Sequence, residues 1–414
     1  MNANSAVEFL VLLLVAASGI AILSKYLRIP YTAALVVGGI LLGLVRVPYI
    51  SPISPGQRPH WLTPDIILLI FLPALVFEGS VKLNIRELAR ESAPLLILAN
   101  IGVLLAAAVT GSLVYWTIGL PILTALLFGA IISATDPISV LAIFRDLNMN
   151  RRLSVLVEGE SLLNDGTAAA LFQIMLAAVI SGHLSFAKGA GMFLLDVGGG
   201  AVLGFACGYG ASRITEALDA PEVEITLTTI VAYGTYMAAY HLHLSAIIAT
   251  VTAGLTVGNV GAKRGMSDST RAALVSFWEY FAFVMNSLIF LLIGLEVRIN
   301  TLAQSWRPLL LAVAAVLAGR AVSIYLLVPA SNLIAQKIPF RWQHVMVWGG
   351  LRGGLALALA LSLDPSFPNR NQVLTLTFGV VVFSILVQGL TMKPLLEIIG
   401  LASEKPEAQT AAKS

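Results

Sequence analysis

Seven ionisable side chains lie inside stretches that are otherwise apolar: Glu78, Asp136, Glu158, Glu160, Asp165, Arg320 and Arg352. An ionised group at the centre of a bilayer costs at least about 2.5–3.5 kcal/mol, so charges in such places are functional candidates by default. The richest run is Val157-Glu158-Gly159-Glu160-Ser161-Leu162-Leu163-Asn164-Asp165-Gly166. Read as a helix, residues three and four apart are neighbours. Ser161 then stands below both Asn164 and Asp165, and Glu160 shares a face with Asn164. A hard monovalent cation such as sodium takes oxygen ligands. The Asp165 carboxylate, the Ser161 hydroxyl, the Asn164 amide and the backbone freed at Thr135-Asp136 offer such oxygens, so Asp165, Asp136, Ser161 and Thr135 are the expected metal-ion ligands, with Asn164 beside them. Desolvation favours a neutral carboxyl group and a bound cation favours an ionised one. A proton and a cation therefore compete at one carboxylate, and Asp165 is the expected carrier. The neutral Asn164 next to it supports one-for-one exchange, because a second acid there would carry a second proton.

The remaining charges admit plainer roles. Glu160 is expected to form a structural ion pair with Arg320. Arg352 either offsets half-helix dipoles and the Asp136 charge or is purely structural. Glu158, close to Arg151 and Arg152, faces an entry funnel, and Glu78 is either an interfacial charge or an extra acid near the ion path. Asp196 and Glu279 are weaker candidates.

Helices must hold these groups. Of 414 residues, 58% are hydrophobic and 11% charged, against about a quarter charged in soluble domains, which excludes a soluble globule. Apolar runs of spanning length suggest thirteen segments, near 6–24, 31–47, 64–80, 93–117, 120–144, 153–180, 190–212, 222–241, 244–260, 273–295, 308–330, 343–362 and 372–399. The least secure division is at Tyr240, His241 and His243. The runs are too long and too apolar for barrel strands, so the expected fold class is an all-α integral membrane bundle. Residues 1–8 lack Lys and Arg, so the first run reads as a retained helix rather than a signal peptide.

Segment five is broken at Thr135-Asp136-Pro137 and segment twelve at Gly349-Gly350-Leu351-Arg352-Gly353-Gly354. Proline removes a donor and restricts the residue before it, and clustered glycines lower helix propensity. Each break is fifth in a block of six. One membrane domain is expected, built of inverted repeats over about 1–181 and 222–400 joined by helix 190–212, with the broken helices crossing near the midplane. Gly39 and Gly43, and Gly200, Gly204 and Gly208, have the small-xxx-small spacing of close helix packing.

Six basic residues (Arg46, Arg58, Lys188, Arg298, Arg307, Arg370) fall in loops on the side of the N-terminus. Seventeen fall opposite, among them Lys25, Arg28, Lys82, Arg86, Arg90, Lys263 and Arg264. The positive-inside rule places the N-terminus outside and the C-terminus in the cytoplasm of a multi-pass protein of the cell membrane. The net charge of +3 follows from this topology and calls for no nucleic acid. The single Cys207 allows no internal disulfide. Without HExxH or a histidine beside an obvious nucleophile, enzyme chemistry is not expected. A passive cation channel is the alternative to an exchanger.

Five strings in register, Phe71-Leu72-Pro73-Ala74-Leu75-Val76-Phe77-Glu78, Ser133-Ala134-Thr135-Asp136-Pro137, Gly159-Glu160-Ser161-Leu162-Leu163-Asn164-Asp165, Gly319-Arg320 and Gly349-Gly350-Leu351-Arg352-Gly353, resemble the monovalent cation:proton antiporter-1 family, the NhaP-type sodium/proton antiporters and their animal relatives. The resemblance runs across nearly the whole chain. It implies a homodimer whose protomers each have a dimerisation part and a moving core interleaved in sequence. It implies that Asp165 binds ion and proton with help from Asp136, Thr135, Ser161 and Glu78, that Glu160 pairs with Arg320, and that no cofactor is needed beyond the transported Na+ (or Li+ or K+) and H+. Asn164-Asp165 is the pattern of electroneutral members. Gly166-Thr167 departs from the Ala-Val of many exchangers, and the short C-terminus departs from animal exchangers.

Overall fold

A computed structural model describes residues 3–27, 29–45, 67–216, 220–262 and 265–401. Arg28, Arg46, Arg58, Lys263 and Arg264, the ends of segments two and three at 46–47 and 64–66, and the tail beyond 401 lie outside the described residues. In order the helices are α1 (Ala3–Leu27), α2 (Tyr31–Val45), α3 (67–82), α4 (Ile85–Arg90), α5 (Ser92–Ile118), α6 (Ile122–Ser133), α7 (Ile138–Asp146), α8 (Arg151–Ser181), α9 (Phe186–Thr215), α10 (Pro221–His241), α11 (Ala246–Gly261), α12 (Asp268–Glu296), α13 (Ile299–Gln304), α14 (Trp306–Ser331), α15 (Phe340–Trp348), α16 (Gly354–Leu361) and α17 (Arg370–Ile398). No strand occurs among the described residues. The described part of each apolar run falls largely on one helix or, at the two breaks, on a pair. Among the described residues, eight helical stretches are long and apolar enough to cross a membrane, including α6 and α7 taken together, and others are shorter. The short α4 and α13 were not anticipated, because six residues are too few to show a helical period.

Local chemistry sets many of the ends. Asn150 accepts a hydrogen bond from the Arg152 backbone N–H (2.9 Å), and Ser267 accepts one from that of Thr270 (3.2 Å). These side chains satisfy donors that a helix start leaves free. Gly119 and Gly182 end α5 and α8 at φ of 82° and 77°, where a side chain would be strained. The division around His243 is real: α10 stops at His241, and Ser245 caps α11 through the Ile248 N–H. Among the described residues, four π-turns, at 67–71, 97–102, 257–261 and 384–388, interrupt the regular pitch of α3, α5, α11 and α17.

The glycine stripes bring backbones together. A Cβ on Gly204 would meet the Ala249 carbonyl oxygen of α11 at 2.1 Å, and one on Gly39 would meet the Leu291 oxygen of α12 at 2.3 Å. Elsewhere the surface is apolar where a soluble protein would be polar: Val15, Leu195, Val202 and Leu326 are each 60% or more exposed. Such side chains suit lipid. Gly204→Leu should lower the melting temperature in detergent, by overpacking worth about 1–3 kcal/mol or more. Gly210→Leu, on the same helix with nothing within 4 Å, should leave it unchanged.

Candidate functional site

The two broken helices meet in the interior. At the first break, Pro137 has no N–H and the chain from Ala134 to Pro137 leaves the helix. The Asp136 backbone N–H donates to the Leu351 carbonyl in the second break, at 2.8 Å. Each break exposes helix ends whose carbonyls and N–H groups need partners. Asp136 Oδ1 accepts from the Ile138 N–H at 3.0 Å and so places an anion at the N-terminus of α7. Arg352 Nη1 donates to the carbonyls of Ser133 and Ala134, at 3.0 and 3.2 Å, which places a cation at the C-terminus of α6. Both are favourable against the helix dipoles. Arg352 makes these bonds to carbonyls rather than to Asp136, and its backbone N–H donates to Ser384 Oγ at 2.8 Å.

Arg320 does the equivalent for α15. Its Nε and Nη2 donate to the Met346 carbonyl at 3.2 and 3.0 Å. Its Nη1 and Nη2 also grip the two carboxylate oxygens of Glu160 at 2.7 Å each. Glu160 is 2% exposed and Arg320 7%, so this is a buried bidentate pair. Each intramembrane arginine thus closes the end of one half-helix, which spacing in the sequence did not disclose.

Around the first break Thr135, Ser161 and Asn164 bind one another. Asn164 Nδ2 donates to Thr135 Oγ1 (2.6 Å) and Glu160 Oε1 (3.1 Å), while Asn164 Oδ1 accepts from the Thr135 N–H (3.3 Å). Thr135 Oγ1 donates to Ser161 Oγ at 3.2 Å, and Ser161 Oγ donates to the Thr135 carbonyl. Asn164 is fully buried and does not line the cavity. Helical spacing had grouped it with Asp165, yet its amide turns toward Thr135 and Glu160 and holds the break in place.

Asp165 faces the other way. It lines a cavity of about 130 Å³ together with Glu78, Thr135, Asp136, Glu158, Ser161 and Asn286. Its Oδ1 is buried and accepts no hydrogen bond. A buried polar atom with no partner is costly, and this residue borders the cavity. The arrangement brings together Asp165, Asp136, Thr135, Ser161 and Glu78, sets Glu160, Arg320 and Asn164 behind them, and puts Arg352 at the crossing. Glu78 is ion-paired with Lys82.

Two further residues line the cavity: Asn286, and Gly353, which the sequence marks only as part of a helix break. Asn286, 8% exposed in the apolar middle of α12, carries the signal of an isolated amide, but unlike Asn164 it adjoins no charged residue in the sequence. A Cβ on Gly353 would lie 2.4 Å from Asp136 Oδ2, so only glycine leaves room for that carboxylate. This is a contact between distant segments that spacing does not reveal.

Residues 10–398 match the family described as Sodium/hydrogen exchanger, transmembrane. The chain belongs to the sodium/hydrogen exchanger family. It is 38% identical to the Na(+)/H(+) antiporter NhaH of Halobacillus aidingensis, over 96% of this chain and 98% of that one. It is 39% identical to the Na(+)/H(+) antiporter ApNhaP of Aphanothece halophytica, over 97% and 76%. The structure superposes on that of the sodium proton antiporter MjNhaP1 from Methanocaldococcus jannaschii with a TM-score of 0.79 at 22% identity, over 98% of this chain and all of that one. At that identity the likeness speaks to fold. The exchanger fold thus carries the crossing described above.

Removing one partner of a buried ion pair leaves an uncompensated charge, at about 3–5 kcal/mol. Arg320→Ala should therefore sharply reduce the yield and melting temperature of the purified protein. The double variant Glu160→Leu/Arg320→Leu, which removes both charges, should recover part of the loss.

Proposed function

We propose that this protein exchanges sodium for protons across the membrane, one for one, with H+ and the cation competing for Asp165 in an alternating-access cycle. The observation that carries this reading is the buried, unpartnered Asp165 oxygen lining a cavity beside two crossed half-helices. With the proton bound, the carboxyl group is neutral and tolerates the cavity. With the proton gone, a sodium ion at the same oxygen restores neutrality. Asp136, Thr135, Ser161 and Glu78 complete the set of oxygens that receive the ion. The Thr135 hydroxyl donates to that of Ser161, which donates in turn to the Thr135 carbonyl, and part of that bonding rearranges when a cation enters. Asn164, Glu160 and Arg320 hold the break, and Arg352 holds the crossing. Sodium, with lithium or potassium as alternatives, and the proton are substrates, and no cofactor enters the cycle.

Antiporter is also the function named for the relatives, and a passive channel is not supported by them. The chain is read as two inverted halves, 1–181 and 222–400, joined by the helix at 190–212, with its N-terminus outside and its C-terminus in the cytoplasm of the cell membrane. The basic-residue bias of the loops supports that orientation. A homodimer is the expected assembly, its dimerisation part holding a core that moves against it.

In everted vesicles a sodium gradient should drive proton movement through the wild-type protein, and Asp165→Asn should abolish it while leaving the amount of folded protein unchanged. Exchange by that variant would remove Asp165 from the carrier role. Because one charge crosses in each direction, an imposed membrane potential should leave the initial rate in proteoliposomes unchanged, whereas a rate that rises with potential would indicate unequal stoichiometry.

A further inference from the structure

Glu78 lines the ion cavity, yet its carboxylate already holds a monovalent cation, the ammonium group of Lys82 one helical turn further along α3. The same ammonium lies 3.1 Å from Glu279 Oε1 on α12, so it has a second carboxylate to rest on. Glu158, on α8, is a further cavity acid that faces Glu78 and Lys82. Lys82 and Glu78 are about one-fifth exposed at their side chains and Glu279 is half exposed. The Glu78 contact is the more sheltered of the two, and the half-exposed Glu279 offers the ammonium an alternative acceptor within reach. From this geometry we infer that Lys82 is a built-in competitor of the transported cation: it occupies Glu78 when the cavity is empty and moves onto Glu279 when an ion arrives, and so sets the cation concentration at which the cavity fills. The inference rests on the reading of this cavity as the ion path.

The two carboxylates that share Lys82 make opposite predictions. Removing the competitor with Lys82→Met should lower the half-saturating sodium concentration by roughly two- to fivefold, the size of effect that a partly exposed ion pair supports. Removing its resting place with Glu279→Gln should confine the ammonium to Glu78 and raise that concentration. Lys82→Arg, which keeps the charge, should stay near wild type. In a Glu78→Gln background, Lys82→Met should cause no further change. A merely structural role would weaken binding in both Lys82→Met and Glu279→Gln.

The test is a sodium titration of the full-length purified protein, read as thermal stabilisation in detergent, alongside the sodium dependence of exchange in proteoliposomes. Opposite shifts in the two variants support the inference. An unchanged or raised half-saturation in folded Lys82→Met, or an unchanged or lowered one in Glu279→Gln, overturns it. Thermal stabilisation reports binding without transport. Shifts seen there with silent proteoliposomes would therefore reject the exchange reading while keeping Lys82 as a competitor.

Discussion

The structure depends on leaving one buried carboxylate oxygen, Asp165 Oδ1, without a hydrogen bond while the groups behind it bind one another. A buried acceptor without a hydrogen bond is unfavourable. It persists because α8 is fixed from behind by Glu160, through Arg320, and by Asn164 and Ser161, through Thr135. The helix cannot turn to relieve Asp165 without breaking these bonds. The orientation of this oxygen toward the cavity is thus a property of the framework.

The framework faces a second cost. Breaking two helices inside an apolar bundle leaves carbonyls and N–H groups that lipid cannot satisfy. The crossing deals with them by charge: Asp136 at the start of α7, Arg352 at the end of α6, and Arg320 at the end of α15. Gln388 adds a bond to the Trp348 carbonyl at 3.0 Å. The charges that hold the break together and the carboxylate open to the cavity are therefore parts of one arrangement, and the arginines leave Asp165 itself without a permanent counter-ion.

Much of this was legible in the sequence, and the reasons are physical. Long apolar runs mark helices because lipid demands internal hydrogen bonding, and Pro137 and the glycines of 349–354 mark breaks because they cannot sustain a helix. The ion pair of Glu160 with Arg320 was accessible because two charges in apolar runs need each other. Other contacts between distant segments were not accessible. Spacing along α8 put Asn164 and Asp165 side by side, and only the position of Thr135 decides that the amide turns inward and the acid outward. Gly353 reads as one more helix breaker until Asp136 is seen packed against it.

Sodium added to purified wild-type protein in weakly buffered solution, near the pH at which Asp165 is protonated, measures the central claim directly. The account predicts release of one proton per sodium bound, with acid and sodium each weakening the binding of the other. Sodium binding that releases no proton, or that is indifferent to acid, would contradict it.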